Sequence, residues 1–426
     1  MTLNPAFQRF FNAVDEALQS ELSEAVALRR RLHQVPEISW QEHQTSATIA
    51  EALSDFTVEP IAGTGLLIRV GEANLPAVGI RAELDALPIV EETRSSYASS
   101  NGAMHACGHD VHMAALVALI RAFQSAKQTE RTPVSLLGVF QPSEEAFPSG
   151  AQKIIETGRL DEHHLRAMLA VHLHPQVPWG AITTGTGAVN ACADSFVLTI
   201  TGVGGHGAYP HRGHDPVLAL SHVIVALQQI VSRRTDPMHP TVISVGRLQA
   251  GSAANVIPDE AVAEGTVRVL VPEDRDEVLA LVESIASHSA AAFGCEARLE
   301  IRPGDPVLIN DAELVATVDP WLESGGFVVA EPMRSCGADD FAFYGHEVPS
   351  LMMFLGVQGR SDNVDDTSVA NERDGDHNAT PRDQSSGLHS STFLPPDDAV
   401  ERTARAMLAA FSGAAELILE RSDTQQ

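Results

Sequence analysis

Residues 134–145, VSLLGVFQPSEE, decide the fold, because a largely apolar run ends there in two adjacent acids. The run has the length of a strand buried on both faces and is short for a helix. Similar short runs, bounded by Gly, Pro or charged residues, occur at 66–70, 77–80 and 168–171, and a helical stretch rich in Ala, Leu and Val lies at about 112–123. Alternating strands and helices predict an α/β domain with a central, mostly parallel sheet.

The two ends of the chain predict helices. Apolar residues recur at helical spacing over residues 6–34, 42–53 and 399–419, and the last of these stretches is amphipathic. Residues 358–387 are polar, acidic and rich in Asn, Asp, Ser and Gly, which predicts a long loop.

A middle region has a different order of elements. From about residue 188 an alternating strand is followed by a Gly-rich corner, an apolar helix, two strands and another helix. This order predicts a compact α+β unit inserted into the larger domain. We therefore expect a catalytic domain from residues 1–187 and 300–426, and an insert from residues 188–299.

Composition and charge exclude several classes of function. The 426 residues are 44% hydrophobic and 20% charged, which is ordinary for a globular protein, and the net charge is -28. Such a field repels nucleic acid and anionic membrane surfaces. No run of 18 apolar residues predicts a membrane span, and the N-terminus lacks a basic start followed by an apolar stretch. We expect cytoplasmic residence, with no nucleic-acid or membrane partner.

The segment HACGHDVH, residues 105–112, is the first candidate for metal binding. Cys107 and His109 stand two apart ahead of the predicted helix, so both side chains can turn toward one ion. Asp110 is placed to orient a ligating imidazole. A Cys-x-His pair alone is weak evidence, but three His, a Cys and an Asp within eight residues favour a metal site over coincidence.

Three further clusters are ambiguous when each is taken alone. Glu144 and Glu145 are equally typical of a solvated turn and of a metal ligand beside a general base. His172, after the run at 168–171, is more typical of a satisfied core histidine, and His389 of an exposed loop.

The placement of these clusters favours the metal reading. In open α/β sheets, ligands bind beyond the carboxyl ends of the strands. Glu144, Glu145 and His172 follow predicted strands, and so does Asp85. Their convergence on one edge predicts a metal centre.

Eight motifs together resemble the M20 metallopeptidase family, specifically its amidohydrolase branch of hippurate hydrolases, N-acetyl-amino-acid deacetylases and auxin-conjugate hydrolases. They run in order through nearly the whole chain: RRRLHQVPEIS (29–39), RAELDALP (81–88), HACGHDVH (105–112), QPSEE (141–145), VHLHP (171–175), GGHGAYPH (204–211), ANVIPDEAVAEGTVR (254–268) and ADDFAFY (338–344).

The resemblance implies a dinuclear site that hydrolyses the amide bond of N-acyl amino acids. Cys107 would bridge two divalent cations as a thiolate, and the other ligands would be His109, Glu145, His172 and His389. Glu144 would be the general base, taking a proton from a metal-bridging water, and Asp85 would support the ligands. Zinc suits this donor set, although manganese, cobalt or nickel would also fit.

The insert also gains a role from the resemblance. In the family it is a lid that mediates homodimerisation, and His206 reaches the partner's site to support the oxyanion. Asn255 and Arg268 match positions that contact polar groups of the substrate, and Arg268 could hold its carboxylate. Taken alone, the Gly-rich segment around His206 is more typical of a plain turn.

Departures from the family pattern leave some choices open. Glu83 and Asp339 stand where many relatives have Asp and Glu, and neither is a predicted ligand. His377 competes with His389 as the late ligand, and His389 is preferred because a Phe follows it at the family's spacing. A dipeptidase or aminopeptidase of the sister branches is disfavoured by Cys107, where those enzymes have Asp. A non-catalytic binding protein is disfavoured because Glu144 and every predicted ligand are present.

Overall fold

The computed structural model describes residues 5–128, 132, 134–359 and 387–424. Its helices are α1 (Pro5–Gln34), α2 (His43–Ala52), α3 (His109–Ala126), α4 (Gly150–Glu156), α5 (Arg159–Glu162), α6 (Pro216–Gln229), α7 (Arg275–Ala291), α8 (Ala312–Ser324) and α9 (Asp398–Thr424). Its strands are β1 (Val58–Ile61), β2 (Gly65–Val70), β3 (Ala77–Glu83), β4 (Ser135–Gln141), β5 (Leu165–Pro178), β6 (Ala181–Thr183), β7 (Gly187–Asn190), β8 (Asp194–Thr201), β9 (Gly205–His206), β10 (Thr241–Ala250), β11 (Val256–Ile257), β12 (Glu260–Val269), β13 (Glu296–Arg302), β14 (Leu308–Asn310), β15 (Val328–Val329) and β16 (Ser350–Gln358).

The chain forms two compact units. The first contains residues up to Gly187, the segment Asn310–Met333 and the residues from Phe343 onward. The second contains Ala188–Ile309 and Arg334–Ala342. The insert predicted at residues 188–299 starts where the second unit starts, but the unit extends further, to Ile309 and over Arg334–Ala342. Part of this extension, up to Arg302, is the end of β13, which pairs with β8.

The first unit has an eight-stranded sheet in the order β1-β2-β4-β3-β5-β16-β6-β15. The four central strands, β4, β3, β5 and β16, are mutually parallel, so their carboxyl ends share one edge. Among the described residues, antiparallel pairing in this sheet is found between β2 and its two neighbours and between β6 and β16. The predicted α/β class with a mostly parallel central sheet is confirmed.

Three long helices complete the core of this unit. Phe123 of α3 packs edge-on against Phe10 of α1 at 4.9 Å between ring centroids, and against Phe411 of α9 at 5.0 Å. Burial of such large apolar surfaces is the main stabilising contribution to a domain of this size. It also fixes the start of α3 beside the carboxyl ends of the strands.

The second unit has an antiparallel four-stranded sheet in the order β10-β12-β8-β13. Its core includes Phe196 and Leu198 of β8 and the buried faces of α6 and α7. Arg275 makes a two-pronged ion pair with the buried Asp194, at 2.6 and 2.8 Å.

One helical stretch of the second unit, Pro216–Arg234, is long and apolar enough to cross a membrane by length and composition alone. Only 33% of its most apolar window is buried. A single such helix is weak evidence for a membrane span, because a helix that packs against protein passes the same test.

The long loop predicted at residues 358–387 lies outside the described residues except at its ends, and His377 lies outside them with it.

Candidate metal centre

The first turn of α3 presents His109 at the carboxyl edge of the sheet. Gly108 adopts a left-handed conformation with φ of 88° just before the helix, and a Cβ there would press on Leu173 at 3.0 Å. The Nδ1–H of His109 faces the backbone carbonyl of Asp85 at 2.9 Å. This bond leaves Nε2 buried with no hydrogen-bond partner, as expected for an imidazole built to bind a cation.

Cys107 and His172 approach each other beside His109. The distance between Cys107 Sγ and His172 Nε2 is 3.4 Å, and both residues are buried. His172 Nδ1 faces the carbonyl of Leu173 at 2.7 Å, so its Nε2 is the nitrogen aimed at the thiol. This tautomer is the one that a metal ligand requires.

Glu145 and His389 form the other side of the cluster. His389 Nε2 lies 3.2 Å from Glu145 Oε1. The backbone N–H of His389 donates to the carbonyl of Ala106 at 2.9 Å, which ties the late segment to the Cys107 loop. His389 has a φ of 62°, a left-handed conformation that is uncommon outside glycine and typical of functional positions.

Two of the groups of donor atoms that could hold an ion share Cys107. Within each group every donor atom lies within 4.8 Å of the others; the groups are Cys107, His109 and His172, and Cys107, Glu145 and His389. Cys107 belongs to both, which is the arrangement expected of a residue that bridges two cations. The mixture of thiol, imidazole and carboxylate suits zinc and related divalent ions. The structure thus brings all five predicted ligands together.

Glu144 belongs to the same cluster. It forms a third group of donor atoms with His109 and Glu145, within the same 4.8 Å. It is half-buried, so it is open to a bound substrate and to water.

Carboxylates around the cluster favour positive charge there, as the pKa values of its side chains show. The carboxylates of Glu83 and Asp85 outweigh burial and raise the pKa of His109 to about 10. Burial, reinforced by the charges of Glu145 and Glu144, raises the pKa of the Cys107 thiol well above its ordinary value. Burial, with His112 acting in the same direction, holds the pKa of His172 well below its ordinary range. Divalent cations would neutralise the carboxylates and convert the thiol to thiolate, so the donor set fits the predicted metals.

Asp85 is within hydrogen-bond distance of two of the predicted ligands, Glu145 and His109. Its Oδ2 accepts hydrogen bonds from the backbone N–H of Glu145 at 2.9 Å and from the hydroxyl of Ser39 at 2.7 Å. Burial alone would raise the pKa of Asp85, but the imidazole of His109, whose Nδ1 lies 3.7 Å from Asp85 Oδ1, outweighs burial and lowers that pKa.

Asp110 requires a correction, because it does not bond a ligating imidazole. Its Oδ2 accepts from Arg29 at 2.7 Å and faces His33 Nδ1 at 2.9 Å. The motif at 109–112 lies inside α3 rather than ahead of it, and neighbouring helix residues point about 100° apart. Asp110 therefore faces α1 while His109 faces the metal cluster.

Sequence reasoning missed a buried pair behind His172. Glu83 Oε2 lies 2.9 Å from His112 Nδ1, and His112 Nε2 accepts from the backbone N–H of Leu173 at 3.1 Å. Arg81 also pairs with Glu83. Both partners were visible in the sequence, Glu83 as a departure from the family pattern and His112 as the third histidine of its motif.

The remaining predicted site residues belong to the second unit. His206 of β9 and Val256 of β11 are opposite each other, and the N–H of Gly207 donates to the carbonyl of Asn255 at 2.8 Å. His206 and Asn255 are exposed. Arg268 is half-buried on β12, opposite Val242 of β10.

The sequence is similar to a known protein family and to characterised bacterial enzymes. The sequence profile described as peptidase family M20/M25/M40 matches residues 79–373. An N-acetyl-L-cysteine deacetylase of Bacillus subtilis is 38% identical over 81% of this chain and 84% of its own length. An N-acetyldiaminopimelate deacetylase of Bacillus licheniformis is 33% identical over 93% of this chain and 100% of its own.

Solved structures agree with the sequence relatives. A Bacillus subtilis protein described as a dinuclear metal-binding peptidase of the M20 family superposes with a TM-score of 0.75 at 28% identity, covering 92% of this chain and 98% of its own. A Staphylococcus aureus protein described as an aminohydrolase reaches a TM-score of 0.79 at 30% identity, covering 93% and 98%. The resemblance inferred from the motifs is confirmed, and the chain belongs to peptidase family M20/M25/M40.

Proposed function

We propose that this chain hydrolyses the amide bond of N-acyl amino acids, with N-acetyl amino acids as the first substrates to test, and releases a carboxylic acid and a free amino acid. The observation that carries the proposal is the pair of donor groups sharing Cys107, with Glu144 beside them. Four relatives bear names of N-acetylcysteine or N-acetyldiaminopimelate deacetylases, which supports this class of substrate. The chain is accordingly a metal-dependent amidohydrolase acting on linear amides.

The residues of the cluster are proposed to have two kinds of role: some bind the metal ions, and Glu144 transfers the proton. Cys107, His109, Glu145, His172 and His389 would hold two divalent cations, which polarise the amide carbonyl and activate water when bound. Glu144 accepts a proton from the attacking water and delivers it to the leaving amine nitrogen. Asp85 keeps Glu145 and His109 oriented through its carboxylate and its carbonyl.

The metal is proposed to be zinc, with manganese, cobalt or nickel as alternatives. The set contains one soft thiolate, three imidazoles and one carboxylate, and such mixed sets accept several divalent ions. Geometry and availability, rather than raw affinity, then decide which ion is bound.

His206 is proposed to stabilise the oxyanion of the tetrahedral intermediate. Its Nδ1 accepts the N–H of Ala208 at 3.1 Å, which places the ring proton on Nε2. That Nε2–H is a donor of the type that oxyanion sites use. Asn255 and Arg268 are proposed to contact the polar groups and the carboxylate of the substrate.

The second unit is proposed to be a lid and dimerisation domain, with His206 serving the partner subunit's metal centre. Leu218 and Val225 of α6 are exposed by 49% and 72%, which leaves an apolar surface that contact with a second copy would bury. β10 is an edge strand of its sheet, so one of its sides lacks a neighbouring strand within the described part of the chain. Light scattering would measure the mass of the assembly. We further propose that the dimer acts in the cytoplasm.

The proposed reaction is tested by amino-acid release from N-acetyl, N-benzoyl, N-indoleacetyl and longer N-acyl amino acids. Protein dialysed against chelator is supplied with Zn, Mn, Co or Ni before the assay. We expect cleavage that a chelator abolishes and that added metal restores. If folded protein with two bound ions cleaves no member of the panel, the proposal is wrong, and dipeptides or a binding role become the next candidates.

A further inference from the structure

Glu42 is a buried carboxylate that faces the loop of the catalytic base. Its side chain is fully buried, and Oε1 accepts the backbone N–H of Ser143 at 2.8 Å and that of Trp40 at 2.9 Å. Oε2 accepts the hydroxyl of Thr64 at 2.8 Å. A single side chain thus links the segment before α2, the turn before β2 and the loop after β4.

Glu42 does not serve the helix next to it. It occupies the N-cap position of α2, where carboxylates often accept helix N–H groups, yet its side chain makes no capping bond. That task falls to Glu37, whose Oε2 accepts the N–H of Thr45 at 2.8 Å. The carboxylate of Glu42 instead accepts the N–H of Ser143, in the loop that carries Glu144.

Ser143 is the residue in that loop whose backbone most needs support. Its φ of 46° is left-handed and unfavourable for a residue with a Cβ, and it directly precedes Glu144 and Glu145. The loop is also closed tightly: the N–H of Gly150 donates to the carbonyl of Ser143 at 2.9 Å, and a Cβ on Gly150 would lie 1.6 Å from the carbonyl oxygen of Pro142.

The direction of Glu144 follows from this backbone. Rotation of the peptide at Ser143 would turn the next residue away from His109 and Glu145, with which its carboxylate now clusters. A displacement of about 1 Å in a reacting group is enough to slow catalysis on the order of a hundredfold.

We propose that Glu42 is a positioning residue, whose carboxylate holds the left-handed Ser143 peptide and thereby aims Glu144 at the substrate. The inference rests on the proposed role of Glu144 as base. Glu42 is the last residue of the segment RRRLHQVPEISWQE, which contains none of the predicted metal ligands. The proposal gives this residue a role in the reaction.

Two conservative variants of Glu42 distinguish the effect of side-chain length from the effect of charge. Glu42→Gln keeps the length of the side chain: its amide oxygen can accept both N–H groups, and its NH2 can donate to Thr64 Oγ1. Glu42→Asp keeps the charge but is one methylene shorter, so it cannot reach Ser143 without moving the chain. A role in positioning predicts that Gln rescues function better than Asp, whereas a role of the charge alone predicts the opposite order.

The measurements are kcat and KM for the best substrate, metal content, and hydrogen exchange at the amide of Ser143, all on metal-loaded protein. We expect Glu42→Gln to keep kcat within about threefold and to keep protection of that amide. Glu42→Asp should lower kcat by about ten- to a hundredfold, leave KM and both metals in place, and lose the protection. Glu37→Ala, which removes a carboxylate of the same segment from Thr45 alone, should leave kcat near the wild-type value.

Four results would overturn the inference: a higher kcat in Glu42→Asp than in Glu42→Gln, wild-type kcat in Glu42→Asp despite lost protection, an unprotected amide in the wild type, or an equal loss of kcat in Glu37→Ala. The exchange measurement does not depend on turnover. If no substrate is cleaved, the proposed function fails while the contact between Glu42 and Ser143 is still tested.

Discussion

The cluster of five predicted metal ligands and the loop that carries His206 are both proposed to act in catalysis, but they are built in opposite ways. In the cluster, His109 and Cys107 are buried, and the tautomer of each ligating histidine in the strands and helix is set by a backbone carbonyl. In the loop, His206 and Asn255 are exposed, and the contacts described for them lie within their own segment, in the pairing of β9 with β11 and in the bond from the N–H of Ala208 to His206 Nδ1.

The difference is one of burial. Side chains in the cluster are oriented by buried contacts, whereas those in the loop are exposed and have few contacts to orient them within the described part of the chain. Buried donors such as His109 Nε2 have a direction and lack a partner, which itself points to a ligand. His206, by contrast, is exposed, and its ring accepts a hydrogen bond from the backbone N–H of Ala208 in the same loop. The geometry of the cluster is therefore set by buried contacts, and that of the loop by contacts at the protein surface.

The largest effect is expected from Glu144→Gln, which removes the proton acceptor but preserves shape. We expect kcat to fall by about a thousand- to ten-thousandfold while both metals stay bound, because the five proposed ligands are untouched. Steady-state kinetics with metal analysis checks this, and Glu156→Gln on the exposed end of α4 is the matched control. Loss of metal along with activity would mean that Glu144 is a ligand rather than the base.

His206→Ala tests the other region. Removing the proposed oxyanion donor should lower kcat by about a hundredfold. Metal content and melting temperature should stay unchanged, because His206 is exposed and lies in the second unit. His211→Ala, an exposed histidine of the same segment, is the control. An unaltered kcat would remove the loop from the chemistry and leave the cluster as the whole of the catalytic apparatus.

Asp85→Ala should weaken metal binding rather than the chemical step. Its carboxylate holds the backbone of Glu145, so we expect metal affinity to fall about ten- to a hundredfold. Excess metal should restore most of the activity, and titration with a competing chelator measures the change. Asp161→Ala, at an exposed position in α5, should have no effect. Activity that is low even at saturating metal would place Asp85 in the chemical step.

The smallest effect concerns stability in the second unit. Burial, with the nearby charge of Asp339, raises the pKa of Asp305 to about 6 from 3.8. The folded state thus holds the proton more tightly than the unfolded state, so Asp305 costs nothing below about pH 4 and destabilises the fold as pH rises through about 6. Asp305→Asn should raise the free energy of unfolding by on the order of 1–3 kcal/mol at pH 8 and leave it unchanged near pH 4. Denaturant titration at both pH values measures it, and an equal gain at both would exclude ionisation as the cause.

Much of the fold was predictable because it depends on local pattern. The apolar run at 134–140 became the central strand β4, and the helical spacing at the N-terminus became α1. The predicted boundary at residue 299 falls inside β13, which pairs with β8 about a hundred residues earlier in the chain. Local sequence pattern does not identify such a distant partner.

The candidate site divides in the same way. Ligand types and their positions after strands were readable, because parallel strands bring their carboxyl ends to one edge. The partners that orient them were not: Asp110 points to Arg29 and His33 rather than to His109, and Glu42 holds Ser143 from a hundred residues away. Side-chain direction within a helix and contacts between distant segments become visible only in three dimensions.

A dinuclear centre bridged by Cys107 is tested most directly by titrating chelator-treated protein with zinc and following hydrolysis of the best N-acyl amino acid against bound metal per subunit. Activity should reach its maximum only at two equivalents, and Cys107→Ser should lose the second equivalent because the shared donor is weakened. Full activity at one equivalent, or activity that survives without metal, would contradict a dinuclear centre bridged by Cys107.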